Sequence, residues 1–339
     1  MGNMGNETVP LVSVSVITYN HEKYIRQCLD GILMQNVNFP YEVLVHDDAS
    51  PDGTADIIRE YEAKYPDIIK PIYQTENQYS QGRPVSKLNY DRARGKYLAF
   101  CEGDDYWTDP GKLQKQVDFL EAHPEYIACV HRVKVIDEFG NRNWSNGFAR
   151  NYDTSDYTLS DSENLMVSNG CAGHLSSLVC RNIFLTLSKD IYENYLNCKA
   201  NGDTKLNLLL TLNGTIRRFD DTMSVYRHIT SSGTSWSAQQ AQKQNTSLEA
   251  SSRLDELSQF AQESYGVVLD YSDHKKHIAI TSIYKYLMHP NKKNKEIMCS
   301  HLNAIDKKFE LIKHMIKNYN NYLYHVARLL GDHKCIKSS

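Results

Sequence analysis

Residues 11–17 set Val12, Val14 and Val16 against Ser13 and Ser15. Alternation at period two with β-branched side chains predicts a strand. Residues 22–35 then place Tyr24 and Ile25, Cys28 and Leu29, and Ile32 and Leu33 at helical spacing. The alternation of element types continues. Strands are predicted at 41–45, 68–73, 97–101 and 127–135. Helices are predicted from about 54 to Tyr65, over 88–94, and from Pro110 to His123. Pro66 stops the second helix and Gly95 ends the third. Such alternation, with most helices 10–14 residues long, predicts an α/β fold: a mostly parallel sheet covered by helices on both faces. Residues 136–235 mix strand-like and helical pieces. From 238 onward the pattern reads as helices, beginning with 248–265 and 275–288.

The strand ends are polar. Thr18-Tyr19-Asn20 follows the first strand, Asp47-Asp48 the second and Glu102-Gly103-Asp104-Asp105 the fourth. In parallel sheets ligands bind at the carboxyl ends of strands, so these three clusters mark one candidate site. Neighbouring carboxylates repel, and a hard divalent cation relieves that repulsion. A solvated acidic turn leading to Pro110 is the plain alternative for Glu102–Asp105.

Several nucleotide and hydrolase signatures are missing. No G-x-G-x-x-G follows the first strand, no G-x-x-x-x-G-K-[ST] is present, and no G-x-S-x-G occurs. Composition narrows the class further. The 339 residues carry 38 Lys and Arg against 41 Asp and Glu, a net charge of −3, which argues against a dedicated nucleic-acid binder. The eight cysteines are scattered without a C-x-x-C pair, as expected of a reduced cytoplasmic protein. No apolar run approaches the ~20 residues of a membrane span, and no secretory signal is expected.

Three motifs carry a resemblance. Val14-Ser15-Val16-Ile17-Thr18-Tyr19-Asn20 comes first. Val45-His46-Asp47-Asp48-Ala49-Ser50-Pro51-Asp52-Gly53-Thr54 follows, and then the segment from Arg94-Gly95-Lys96-Tyr97 through Glu102-Gly103-Asp104-Asp105-Tyr106-Trp107. In this order and spacing they resemble the family-2 glycosyltransferases of the GT-A fold, over roughly residues 10–236. The resemblance implies inverting transfer of a sugar from a nucleotide-diphosphate sugar, with UDP favoured, assisted by Mg²⁺ or Mn²⁺. It implies that Thr18, Tyr19 and Asn20 line the nucleoside pocket, with Asp48 on the base and Asp47 shaping the same loop. Asp104 and Asp105 serve ribose and metal between them, in a D-x-D-type motif that opens here with Glu102. Lys87, with Arg94 nearby, falls where the family places a basic donor contact. His228, in Ser224-Val225-Tyr226-Arg227-His228, falls where relatives carry a metal- or diphosphate-contacting histidine. Gly233-Thr234-Ser235-Trp236-Ser237 continues that stretch. His174, in Ala172-Gly173-His174, lies in a segment the family places near the acceptor.

Inversion needs a general base for the acceptor hydroxyl. Asp203, after Gly202 and ahead of the helical run 206–212, matches the family's downstream aspartate, and a helix N-terminus favours its carboxylate form. A simple helix cap is the plain alternative.

These motifs divide the chain into a catalytic domain over 1–236 and a helical region over 237–339. The first is expected to hold a nucleotide-sugar half at about 10–135 and an acceptor half at about 136–236. Charge follows a similar division. Residues 273–339 hold 13 basic against 5 acidic residues, whereas residues 1–272 hold 25 against 36. The basic segments 311–316 and 322–330 are amphipathic. They are expected either to pack on the catalytic domain or on a second copy in a homo-oligomer, or to touch an anionic inner membrane face near a lipid-linked acceptor. The expected function is bacterial surface-polysaccharide or other glycoconjugate synthesis. A non-catalytic scaffold of the same fold, or more remotely a nucleotidyltransferase, is the alternative.

Overall fold

The computed structural model describes residues 9–143, 148, 154–163, 171–229 and 246–303. The expected strands form as β1 (Val12–Thr18), β2 (Tyr41–Asp47), β3 (Ile69–Tyr73) and β4 (Tyr97–Phe100), with the 127–135 strand as β6 (Tyr126–Ile136). The intervening helices are α1 (Ile25–Leu33), α2 (Thr54–Lys64), α3 (Lys87–Arg92) and α4 (Lys112–Ala122). Three further strands join them: β5 (Tyr106–Trp107), β7 (Val179–Arg181) and β8 (Thr215–Arg227).

All eight strands make one sheet in the order β3-β2-β1-β4-β7-β6-β8-β5. The β3-β2-β1-β4 half is parallel throughout. Beyond β4 the pairing changes: β7 runs antiparallel to both β4 and β6, β8 parallel to β6, and β5 antiparallel to β8. Strand β8 escapes period-two reading because Asp220 and Asp221 interrupt it, and its pairing with β6 shifts register near His131 and Arg132.

On β1 the valines and the serines between them are all buried, since both sheet faces are covered. The core of this half joins Val12, Val14 and Val16 to Ile25, Leu29 and Ile32 of α1, and to Leu113, Val117 and Leu120 of α4, with Trp107. Polar groups inside it are paired. Asn89 Nδ2 donates to Ser15 Oγ and to the carbonyls of Val16 and Leu44, which ties α3 across β1 and β2. Buried Glu42 accepts from Ser13 Oγ at 2.7 Å and holds Arg94 at 2.9 Å. Arg94 is thereby engaged near the start of β2, at the opposite end of the sheet from the polar clusters.

Further helices follow at α5 (Leu159–Glu163), α6 (Lys189–Asn197), α7 (Gly202–Thr211), α8 (Thr246–Tyr265), α9 (Ser272–Met288) and α10 (Lys292–Asn303). One compact unit comprises residues 1–243 with 259–267, and a second comprises 244–258 with 268–339. In the first, Phe260 meets Tyr195 and Tyr265 accepts from Asn213 Nδ2 at 2.8 Å. The second centres on Ala279 and Ile280, with Ile283, Tyr284 and Leu302 around them. Among the described residues no helix is long and apolar enough to cross a membrane. The amphipathic segments 311–316 and 322–330, and the stretch 233–237, lie outside the described residues.

Candidate active site

The loops after β1 and β2 interlock. Asp48 N–H donates to Thr18 O at 3.0 Å, Asn20 N–H to Ser50 Oγ at 2.9 Å, and His21 N–H to Thr54 Oγ1 at 2.9 Å. Both loops turn through left-handed residues, Asn20 at φ 60° and Ala49 at φ 61°. Asparagine tolerates that conformation; alanine does so at a cost of about 1–2 kcal/mol. Thr18 is buried, Tyr19 half-buried and Asn20 exposed.

Asp47 and Asp48 are both buried and both bonded within the protein. Asp47 accepts from the Ser50 hydroxyl, while burial pushes its carboxyl above the usual range. Asp48 uses one oxygen for Gln78 N–H at 2.8 Å and the other for Tyr79 N–H at 3.0 Å. Its carbonyl also accepts from Asn77 Nδ2. Asp48 therefore anchors the loop after β3.

The acidic loop after β4 is pinned on β1 by Cys101 N–H to Ser15 O at 3.1 Å and Gly103 N–H to Ile17 O at 3.0 Å. Gly103 is required there by space. A Cβ would lie 2.5 Å from Thr18 Oγ1 and 2.8 Å from His21 Nδ1. Thr18 Oγ1 and His21 Nδ1 are themselves 3.1 Å apart, and His21 Nε2 lies 3.8 Å from Asp104 Oδ2. Sequence reasoning passed over His21, which follows the Thr18-Tyr19-Asn20 motif directly.

Asp105 turns the other way. Its Oδ1 accepts from Arg227 N–H at 2.9 Å, and its Oδ2 is buried with no hydrogen-bond partner, 3.6 Å from His174 Nδ1. Burial, then the Asp104 charge, raises the Asp105 carboxyl well above its ordinary range. Glu102 keeps contact with solvent, but the protein packed around it pushes its carboxyl up to about 8, with the charges of Asp104 and Asp203 adding to the effect. Asp203 is thus brought within electrostatic reach of the acidic loop from about 100 residues away. It stands exposed in the first turn of α7, where its Oδ1 accepts from Thr204 N–H at 2.8 Å. Asn207 links this turn to the His174 segment by bonding Asp203 O and Ala172 N–H.

Arg227 ends β8 and braces the loop. Its Nε donates to Asp104 O at 2.9 Å and a terminal nitrogen to Gln27 Oε1 at 2.9 Å. The guanidinium lies 4.5 Å from the Tyr24 ring centroid. His228, the next residue, has Nδ1 3.2 Å from Asn143 Nδ2. Lys87 pairs with Asp91, whose other oxygen accepts from Tyr192 OH at 2.6 Å.

Glu102, Asp105 and His174 each offer one ligand atom, all within 4.8 Å of one another. Carboxylate oxygens with an imidazole nitrogen suit a divalent cation such as Mn²⁺. The orphaned Asp105 Oδ2 is a buried acceptor that such a charge would satisfy. The residues present therefore fit a divalent metal.

The sequence profile described as Glycosyl transferase family 2 matches residues 13–180, which takes in β1, both acidic clusters and the His174 segment. Residues 13–180 form a glycosyl transferase family 2 domain. Among relatives, Uncharacterized protein Rv1520 of Mycobacterium tuberculosis is 39% identical over 222 residues, covering 64% of this chain and 58% of its own length. The chain thus spans under two thirds of that curated relative. TuaG of Bacillus subtilis, named provisionally as a teichuronic acid biosynthesis glycosyltransferase, is 38% identical over 112 residues, 33% of this chain and 42% of its own. The crystal structure of Staphylococcus aureus TarS 1–349 in complex with UDP-GlcNAc superposes with a TM-score of 0.59 at 17% identity. It covers 89% of this chain and 81% of that one, a likeness of fold. A family-2 domain fits the position of the acidic loop at the carboxyl end of β4.

Proposed function

We propose that this chain transfers a sugar, with inversion, from a nucleotide-diphosphate sugar to a hydroxyl of a glycan or lipid-linked acceptor. The observation that carries the reading is that the turn bearing Asp203 is tied through Asn207 to the His174 segment, which faces Asp105 of the β4 acidic loop. Thr18, Tyr19, Asn20, Asp47 and Asp48 would position the nucleoside, and Lys87, paired with Asp91, would supply the basic donor contact. Asp203 accepts the proton of the acceptor hydroxyl as that oxygen bonds to the anomeric carbon. The bond from that carbon to the diphosphate oxygen breaks, and the nucleoside diphosphate leaves with the electron pair. Asp104, Asp105 and Glu102 would hold Mg²⁺ or Mn²⁺. A divalent cation bound there neutralises charge on the departing diphosphate.

The relative named for teichuronic acid synthesis supports surface polysaccharide as the product class. In this reading the work is done in the cytoplasm, on or near the inner face of the cell membrane. Residues 1–236 are the catalytic domain, and the basic residues 273–339 are the segment that would touch the membrane or a second copy.

The test is a thermal-shift screen of UDP- and GDP-sugars with and without Mn²⁺, followed by assay of sugar release. UDP-GlcNAc, the ligand of the TarS structure, comes first in the screen. Metal-dependent stabilisation by one donor is the expected result. Failure of every nucleotide sugar to stabilise the folded protein would overturn the reading.

A further inference from the structure

We propose that His174 supplies an imidazole ligand to the divalent cation, together with Asp105 and Glu102, in place of the histidine at 228. The proposal rests on the metal-dependent reading above and goes on to say which side of the acidic loop the metal occupies.

Asp105 Oδ2 and His174 Nδ1 face each other across 3.6 Å. His174 Nδ1 also meets Ser176 Oγ at 3.0 Å and Ser176 N–H at 3.3 Å, the capping contacts of its own turn, which a cation taking the Nδ1 lone pair would displace. Asp105 Oδ1 is satisfied by Arg227 N–H, but Oδ2 has no donor. A buried oxygen without a donor is costly. A positive charge beside it removes that penalty. Two ligands on adjacent positions of a cation with ~2.1 Å bonds lie about 3–3.5 Å apart, close to the separation found here. Glu102 adds the third ligand atom within 4.8 Å and is the exposed member, so the group opens to solvent on its side.

The imidazole is held in place by packing. Its ring stacks on Tyr226 with centroids 3.8 Å apart and meets the edge of Phe148 at 5.1 Å. The turn that follows it is fixed by Trp107 Nε1 donating to Ser176 O at 2.9 Å and by Ser176 Oγ against Ser224 Oγ at 3.1 Å. These anchors come from β5 and β8, the strands that flank the acidic loop. His228 is outside this group, its Nδ1 already against Asn143. His21 faces Asp104 instead.

The experiment uses the full chain with Mn²⁺, alone and with UDP or GDP. Electron spin-echo spectroscopy reads nitrogen bonded directly to the ion and needs no variant. Wild type is expected to show one imidazole coupling. That coupling should be lost in His174→Gln and kept in both His228→Gln and His21→Gln. Mn²⁺ affinity by titration should fall at least about tenfold in His174→Gln. A second variant, His174→Asp, replaces nitrogen by oxygen and should shift preference from Mn²⁺ towards Mg²⁺. Bound Mn²⁺ with no nitrogen coupling in wild type, or a coupling and affinity unchanged in His174→Gln, overturns the proposal and leaves the glycosyltransferase reading standing. Protein that responds to nucleotide sugars yet binds no Mn²⁺ overturns the proposal together with the metal. Protein that binds neither overturns the functional reading itself.

Discussion

Asp104 and Asp105 are adjacent in the chain, yet their carboxylates face different imidazoles. Asp104 Oδ2 lies 3.8 Å from His21 Nε2, and Asp105 Oδ2 lies 3.6 Å from His174 Nδ1. The divergence splits the acidic motif into a face on the β1 loop and a face on the segment before β7. Arg227 braces both residues, its N–H on Asp105 Oδ1 and its Nε on Asp104 O.

Asp203→Asn should abolish transfer while nucleotide binding survives. Removing a positioned general base typically costs about 10²–10⁴-fold in rate. The check is turnover beside a nucleotide titration on the same sample. Turnover within tenfold of wild type would remove Asp203 from the role of base.

Gly103→Ala should drive a methyl group into Thr18 Oγ1 and His21 Nδ1. The cost of overpacking is about 1–3 kcal/mol, felt where the acidic loop meets β1. Thermal unfolding should show a lower Tm, and donor affinity should fall with it. An unchanged Tm with unchanged donor affinity would mean that the loop is slack.

Arg227→Lys should weaken the acidic loop although charge is kept. A lysine cannot span Asp104 O and Gln27 Oε1 with one planar group, nor stack as well on Tyr24. The expected result is loss of Mn²⁺ affinity of about tenfold with the fold retained by circular dichroism. Wild-type Mn²⁺ affinity would contradict the bracing role.

Asp48→Ala should release the loop after β3, because Gln78 N–H and Tyr79 N–H lose their acceptor together. Tyr79 is already 53% exposed, so cleavage near it by chymotrypsin should accelerate several-fold. Equal cleavage rates in wild type and variant would show that other contacts hold the loop.

Lys112→Met should stabilise the protein at neutral pH. Lys112 is fully buried over the face of Trp107, its Nζ makes no hydrogen bond, and burial lowers its pKa to about 7. The folded state thus disfavours the charged amine relative to the unfolded chain, where the pKa is near 10.4. That penalty is fully present below about pH 7 and fades as pH rises towards 10.4. The variant should therefore melt higher than wild type at pH 6–7, and the gap should narrow by pH 9–10. A gap constant across this range would remove Lys112 titration as its cause.

The parallel half of the sheet was legible in the chain because its signals are local. Valine and serine alternation at 12–16, helical spacing at 25–33 and proline or glycine at element ends each act within a few residues. Parallel topology then places Thr18, Asp47, Asp48 and the Glu102–Asp105 loop at one edge, whatever the rest of the chain does. Strands β5, β7 and β8 were not legible. Two are too short for periodicity, and β8 is broken at Asp220 and Asp221, so its pairing with β6 depends on partners about 90 residues away. The orientation of each carboxylate belongs to the same class of information. Asp105 faces His174 because Arg227 N–H, 122 residues on, captures its other oxygen, and Asp48 faces inward because the backbone at 78 and 79 takes both of its own. The sequence by itself determined which acidic groups share the strand ends. Only the tertiary structure decided what each one faces, since that choice is made by hydrogen bonds and packing between segments far apart in the chain.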